Sequence, residues 1–204
     1  MDDLSKTYPF TLKGELDESL SRWLWLVKWF LLIPHLIILI ALWIAFCVVW
    51  IIALFTILFT GEFPKSLFEF NVGVLRWTWR VGFYSYMALG TDRYPPFSLK
   101  PKDYPADLEV EYPEELSQGL VLVKWWLLAF PHYLVTAFFS GGIGPRSGGL
   151  IFLLVLYAGI KLLFTGSHHR DIFNLIMKMN RWCFRVGAYA SLMTDQYPPF
   201  RLDD

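Results

Sequence analysis

Residues 29–60 decide the fold, and they read WFLLIPHLIILIALWIAFCVVWIIALFTILFT. This stretch carries no charged residue, and only Pro34, His35 and a few small or polar side chains interrupt it. A helix needs about 20 apolar residues to cross a hydrocarbon core about 30 Å thick. The stretch exceeds one span, so it predicts insertion into a membrane rather than a buried core in a soluble domain.

The composition of the whole chain agrees with a membrane protein. The 204 residues are 55% hydrophobic and 18% charged, whereas soluble domains carry about 25% charged residues. Eighteen basic and eighteen acidic residues give no formal net charge, which argues against nucleic acid as a partner. The polar opening before the apolar run argues against a removable signal peptide. Cys47 and Cys183, in apolar and aromatic surroundings, do not indicate a disulfide framework.

Short motifs recur in the same order in the two halves of the chain, which indicates a tandem repeat. The first copy covers residues 1–103 and the second residues 104–204. The recurring motifs are Leu-Val-Lys-Trp at 26–29 and 122–125, Pro-His at 34–35 and 131–132, Phe-Thr-Gly at 59–61 and 164–166, Arg-Trp-x-x-Arg-Val-Gly at 76–82 and 181–187, and Tyr-Pro-Pro-Phe at 94–97 and 197–200.

The distance between the copies changes along the chain, and the change locates a loop. It rises from 97 residues at Pro-His to 105 at Phe-Thr-Gly, where the glycine-rich segment 140–149 is inserted. The second copy is therefore predicted to form a helical hairpin over about 117–165. By analogy the first copy is predicted to form one over about 21–62, with its turn between Trp43 and Val49. Because the arms are short, a re-entrant hairpin stays open as an alternative.

A helix of a different kind is predicted after each hairpin, at about 66–89 and 170–193. Each carries two arginines four positions apart, which lie on one helical face, together with many aromatic residues. This pattern predicts an amphipathic helix in the headgroup region. The alternative, a third span, costs about 2.5–3.5 kcal/mol for each buried charge.

Short alternating segments in the polar flanks predict β-strands that pair into a small sheet. They are Phe10–Glu15, Phe97–Lys100, Asp107–Glu111 and Phe200–Asp203. The predicted fold is thus an all-α membrane protein of two tandem repeats, each a transmembrane hairpin plus an interfacial helix, with short strands. The distribution of basic residues predicts a multi-pass protein of the bacterial inner membrane with both termini cytoplasmic. An even number of spans in each copy predicts repeats related by a twofold axis along the membrane normal.

These motifs resemble the domain of unknown function 4389 family of bacterial integral membrane proteins. The resemblance rests on the Lys-Trp to Pro-His entry (Lys28 to His35, one residue longer at Lys124 to His132), Phe-Thr-Gly, Arg-Trp-x-x-Arg-Val-Gly and Tyr-Pro-Pro-Phe. It covers nearly the whole chain in two copies. It implies an integral membrane location and carries over no catalytic residue.

His35 and His132 are the sharpest candidates for chemistry, because they occupy equivalent positions after a proline. Imidazole is a good ligand for haem or a transition metal, and two symmetric histidines would suit a haem held from both sides. The simpler reading is a hydrogen bond near the backbone carbonyl that proline leaves free. We expect this structural role, and we predict no cofactor.

Six cations are candidates for binding anionic lipid headgroups. They are Lys28, Arg76, Arg80, Lys124, Arg181 and Arg185. For the lysines the alternative is snorkelling to the membrane surface. For the arginines it is pairing with Glu69, Asp92, Asp171 and Asp195.

The sequence shows no phosphate loop, metalloprotease motif or nucleophile elbow. We therefore expect a non-enzymatic protein that acts as a self-associating scaffold or as an accessory subunit of a membrane complex. Its predicted partners are the lipid bilayer and either copies of itself or other membrane subunits. The alternatives are a small oligomeric channel or transporter and a haem-binding electron-transfer subunit.

Overall fold

The computed structural model describes residues 8–141 and 149–202, which are mostly helical with few strands, as predicted. The elements are β1 (Phe10–Gly14), α1 (Lys28–Leu31), α2 (Ile33–Thr60), α3 (Lys65–Tyr84), β2 (Ala106–Val110), α4 (Leu120–Val123), α5 (Phe130–Ser140), α6 (Leu150–Thr165) and α7 (Arg170–Ala190). A 3-10 turn at Leu24–Leu26 precedes α1, and a π-helical turn at Lys124–Leu128 follows α4.

The two strands pair antiparallel, and the pairing is centred on Leu12 and Leu108. These two residues lie 96 positions apart, which is also the distance between the two Leu-Val-Lys-Trp motifs. A twofold rotation through this point therefore exchanges β1 with β2. No strand forms at 97–100 or 200–202, and the amide of Ser98 instead donates to the carbonyl of Pro96 within a turn.

The predicted turn between Trp43 and Val49 is wrong. Helix α2 runs without a break over 28 residues and ends at Gly61, whose φ of 77° lies in the left-handed region that caps helices. The run after Pro34 contains no glycine, proline, asparagine or aspartate. With no residue that favours a turn, its amides are satisfied most simply by one continuous helix.

The second copy is interrupted where the sequence predicted. Helix α5 ends at Gly141, with a φ of 84°, and α6 begins after Gly149. A Cβ atom on Gly149 would lie 2.2 Å from the backbone nitrogen of Gly141, so the two glycines bring the helix ends into contact. The loop itself, residues 142–148, lies outside the described residues.

The π-helical turn accommodates the one extra residue between Lys124 and His132. In the first copy, the Leu32 amide donates to the carbonyl of Lys28, four residues earlier. In the second copy, the Ala129 amide donates to the carbonyl of Lys124, five residues earlier. A π turn is the usual way for a helix to hold a single inserted residue. The residues after the insertion, including His132, thus lie on the same side of the helix as their counterparts in the first copy.

Helices α3 and α7 pack against each other as the central helices, and α3 is buried over most of its length. Every residue from 71 to 84 except Thr78 is buried. The ring of Trp79 in α3 packs edge-on against Phe184 in α7, with centroids 5.5 Å apart. The expectation that the arginine face of α3 points to lipid headgroups is corrected, because that face is covered by β2.

Both central helices end earlier than predicted, at Tyr84 and Ala190. The turn that follows each helix contains a leucine in the left-handed region, Leu89 with φ of 52° and Leu192 with φ of 66°. Leucine rarely adopts this conformation, and both side chains are almost completely buried. Burial of the leucine side chain holds the turn.

One described helix, α2, is long and apolar enough to cross a membrane. A second candidate is the pair Leu120–Leu128 and Phe130–Ser140, which is bent by 44°. Helix α6 is apolar but has only 16 residues.

Deleting Leu127 should restore the shorter spacing of the first copy. Because the π turn holds the surplus residue and Leu127 is half exposed, we expect the free energy of unfolding to change by less than about 1.5 kcal/mol. Deleting Leu36 in α2 is the matched control. It rotates the rest of α2 by about 100° and should cost more than about 3 kcal/mol. Equal losses in thermal unfolding in detergent would contradict this account.

Candidate functional site: paired lysine and histidine clusters

Lys28 is fully buried, and its ammonium group joins three parts of the first copy. It donates to the carbonyl of Thr91 at 2.7 Å and lies 2.9 Å from Oδ1 of Asp92. The other oxygen of Asp92 accepts the amide of Ser21 at 2.5 Å. The ring of Tyr84 lies under the ammonium, 4.4 Å from its centroid. The cluster thus ties the segment before α1 to the segment after α3.

Lys124 makes the same contacts in the second copy and is also fully buried. It lies 2.6 Å from Oδ1 of Asp195 and 3.2 Å from the carbonyl of Thr194. The amide of Ser117 donates to Oδ2 of Asp195 at 2.5 Å. The ring of Tyr189 lies 5.9 Å from the ammonium. A buried ammonium is costly unless it is paired, and both copies satisfy it in the same way.

His35 lies in a closed aromatic cage built from its own copy. Phe97 stacks on the imidazole with centroids 4.0 Å apart, and Trp77 donates from Nε1 to Nδ1 at 3.0 Å. Tyr94 completes the cage at 4.9 Å, and its hydroxyl donates to the carbonyl of Leu31 in the break before α2. The Tyr-Pro-Pro-Phe motif thus covers the histidine and satisfies a carbonyl at the helix break.

His132 lies in the corresponding cage of the second copy. Phe200 stacks on it at 4.1 Å, and Trp182 and Tyr197 lie at 5.6 and 5.0 Å. The hydroxyl of Tyr197 donates to the carbonyl of Leu128. Unlike Trp77, Trp182 has an Nε1 atom without a hydrogen-bond partner in the described part of the chain.

The structure does not bring the two candidate histidines together. Each is completely buried among its own three aromatic side chains, and no described ring contact joins His35 to His132. Among residues 8–141 and 149–202, no group of three or more His, Cys, Asp or Glu side chains could hold a metal ion. A haem between the two imidazoles would have to displace both phenylalanine stacks, so these residues do not fit the clamp considered from the sequence.

Arg76 and Arg80 are also internal, and their partner is a residue that the sequence analysis did not select. Both lie near Oδ1 of Asp107 in β2, at 2.9 and 3.1 Å. Their Nε atoms donate to the carbonyls of Leu108 at 3.0 Å and Ala106 at 3.4 Å. The two guanidinium groups thus bond the carbonyls of β2 that face away from β1, as the amides of a third strand would. Burial lowers the pKa of Arg80, while Asp107 acts to raise it.

The second pair of arginines is placed differently. Helix α7 packs against β1, as α3 packs against β2, but Thr11 stands in β1 at the position that Asp107 holds in β2. Arg185 is almost completely buried, donates to the carbonyl of Arg201 at 3.5 Å and lies over the ring of Tyr8. Arg181 is half-buried.

The assignment of the six cations to lipid headgroups is therefore corrected for five of them. Lys28, Arg76, Arg80, Lys124 and Arg185 are buried against internal acceptors or rings, so their charges are not available to a headgroup.

The sequence held a signal for the lysine partners that we did not use. An aspartate stands two residues before each Tyr-Pro-Pro-Phe motif, at Asp92 and Asp195. We considered these aspartates as partners of the arginines, whereas they bind the two lysines. Asp107 gave no such signal, because Thr11 and not a carboxylate stands at the equivalent position in β1.

These features define a mostly helical protein in which one helix, or two, is long and apolar enough to cross a membrane. The sequence profile of the family described as Domain of unknown function (DUF4389) matches residues 22–98 and 146–201, and the chain belongs to this family. The second match leaves out the segment around Lys124 and His132. No curated protein and no solved structure matches the chain.

Replacing Lys28 by methionine should destabilise the protein by about 3–5 kcal/mol, because Asp92 would lose its cation. Lys124→Met should cost a similar amount, because its contacts are equivalent. Asp103→Asn is the control, since Asp103 pairs with Arg93 at the surface, and exposed pairs contribute little. Chemical unfolding in detergent measures all three. A wild-type midpoint for either lysine variant would contradict a role in holding the fold.

The thiol of Cys183 in α7 should react slowly in the folded protein. Burial raises its pKa from about 9 to about 12, so only a small fraction is thiolate at pH 8. In a Cys47→Ser variant, we expect slow maleimide labelling at pH 8 and a large increase on denaturation. Intact-protein mass spectrometry counts the adducts, and equal rates before and after denaturation would contradict the prediction.

Proposed function

We propose that this protein is a non-enzymatic membrane protein that acts as a self-associating scaffold or as an accessory subunit of a membrane complex. The observation that carries the proposal is the outward face of α2, which is apolar along its whole length. Large exposed side chains on this face include Ile33, Leu36, Ile37, Ile40, Ile44, Val48, Ile51, Phe55 and Phe59. A soluble monomer rarely exposes such a continuous apolar patch.

The use of the buried polar groups supports a structural rather than a catalytic role. The two lysine clusters, the two histidine cages and the arginine pair on β2 all have internal partners or ring stacks, as described above. A catalytic group needs access to a substrate, and these side chains are closed off. The same arrangement would make the interior of the protein rigid, and its outer surface would then bind the partners.

Exposed aromatic residues near the helix starts support a location at the membrane. Trp23, Trp29 and Trp126 are 66%, 59% and 50% exposed, and tryptophan is enriched where hydrocarbon meets headgroups. We propose the bacterial inner membrane, with both termini on the cytoplasmic side as the basic residues predict.

The alternative of a channel receives less support from the same surface. An ion path needs polar groups along its wall, whereas residues 29–60 carry no charge. The apolar face is better suited to contact with lipid, with another copy of the chain or with the helix of another subunit.

Native mass spectrometry of the protein, extracted gently from its own membranes, tests the proposal. A scaffold should give masses at integer multiples of 23.9 kDa. An accessory subunit should give extra mass from a second polypeptide. An Ile44→Arg variant, which charges the middle of the apolar face, should lose a partner that binds there, whereas Glu114→Arg in the polar connection to α4 should keep it. A single wild-type copy without any partner would contradict the proposal.

A further inference from the structure

We propose that α2 does not cross the membrane but lies in the plane of one leaflet, with both of its ends on the same aqueous side. The hydrocarbon of that single leaflet then contacts the part of its apolar face that no protein partner covers. This inference rests on the membrane location proposed above, and it replaces a transmembrane passage by an in-plane one.

Helix α3 returns along α2 from its end to its start. It begins at Lys65, four residues after the cap of α2 at Gly61. Farther along, Trp77 donates to His35 at 3.0 Å near the start of α2. At its end, the ring of Tyr84 lies 4.4 Å from the ammonium of Lys28. Since α3 lies beside α2 throughout, the two helices share any orientation relative to a membrane.

Helix α3 carries a polar layer that hydrocarbon does not tolerate. Its two arginines bind β2, and on the sheet Thr11, Lys13 and Glu109 are exposed. If α2 crossed the bilayer, this layer would lie at the depth of the hydrocarbon. Each exposed charge there would cost about 2.5–3.5 kcal/mol.

The segments that leave the two strands reach opposite ends of α2. After β1, the amide of Asp17 donates to the carbonyl of Gly90 at 2.9 Å, next to the Lys28 cluster at the start of α2. After β2, the amide of Leu116 donates to the carbonyl of Gly61 at 2.8 Å, at the end of α2. Each strand has only five residues, so the short segments that follow the strands connect one small polar sheet to both ends of α2.

The burial pattern of α2 fits a helix resting on this layer. Its buried residues form one stripe, His35, Leu39, Phe46, Val49, Ala53 and Ile57. The stripe continues from end to end at a helical spacing, so one side of α2 packs on the protein along its full length. The remaining sides are free for lipid, as in a monotopic helix buried at the boundary of the acyl chains.

The second copy repeats the arrangement. Helix α7 begins four residues after the cap of α6 at Gly166 and ends near Lys124, whose ammonium lies 5.9 Å from the ring of Tyr189. The guanidinium of Arg22 lies close to Gly166. The end of α6 in the second copy therefore lies beside the entry to the helices of the first copy. The ring of Trp50 in α2 also packs against that of Trp125, with centroids 5.3 Å apart, so the apolar helices of the two copies are neighbours.

Labelling from the two sides of the membrane tests the inference. Single cysteines are placed before α2 by Glu18→Cys and after it by Glu62→Cys, two exposed positions, in a Cys47→Ser/Cys183→Ser background. A maleimide that cannot cross membranes is added to spheroplasts and to inverted vesicles. We expect both thiols to be labelled in the inverted vesicles alone. Labelling of the two thiols from opposite sides would overturn the in-plane arrangement.

A measurement of the depth of α2 in the membrane gives an independent answer if the Glu18→Cys or the Glu62→Cys variant folds poorly. Spin labels at Ile37, Ile44, Ile51 and Phe59 report collision rates with oxygen and with a water-soluble nickel complex. An in-plane helix should give similar depths at these four positions, whereas a spanning helix should give a maximum in the middle, which would overturn the inference. A wild-type protein that washes off membranes would contradict the proposed membrane function itself. If the protein stays on the membrane but the two thiols are labelled from opposite sides, the in-plane arrangement of α2 is wrong and the proposed function is not contradicted.

Discussion

The structure depends on two buried lysine side chains, and each of them needs a carboxylate as its partner. Removing an ammonium from water is unfavourable unless hydrogen bonds and an opposite charge replace the lost hydration. Lys28 meets this requirement through Asp92, and Lys124 through Asp195. In each copy the carboxylate stands far along the chain from the lysine, so satisfying the charge also closes the copy on itself. The apolar helices are thereby fixed to the central helices.

Two insertions in the second copy show how strongly these contacts constrain the fold. One extra residue is held in the π turn after Lys124, and about eight extra residues fall in the glycine-rich segment of the sequence between α5 and α6. Without such local adjustments, each insertion would rotate the residues after it away from their partners. The lysine cluster and the histidine cage of the second copy nevertheless match those of the first.

The histidine cages and the arginines on β2 illustrate how polar side chains stabilise a core of this kind. A histidine after a proline is enclosed by aromatic rings, and a nearby tyrosine satisfies a carbonyl in the helix break. Arg76 and Arg80 donate to the outer carbonyls of β2 and to Asp107, so a sheet of only two strands gains the bonds of a third. These groups hold elements together, and the apolar surface of α2 is left for interactions outside the chain.

The sequence by itself determined the apolar character of residues 29–60, the recurring motifs, the family and the helices that follow each apolar run, because these depend on composition and on local spacing. It also located the loop before α6, since an insertion between two matching motifs needs no three-dimensional information. It did not determine that residues 33–60 form one helix, because the first copy lacks the insertion that marks the loop in the second. Nor did it determine the partners of Lys28, Arg76 and Arg80, or the inward direction of their charges. Those features were decided by the tertiary structure, because a charge can be buried only where folding brings a distant carboxylate or carbonyl within hydrogen-bond distance.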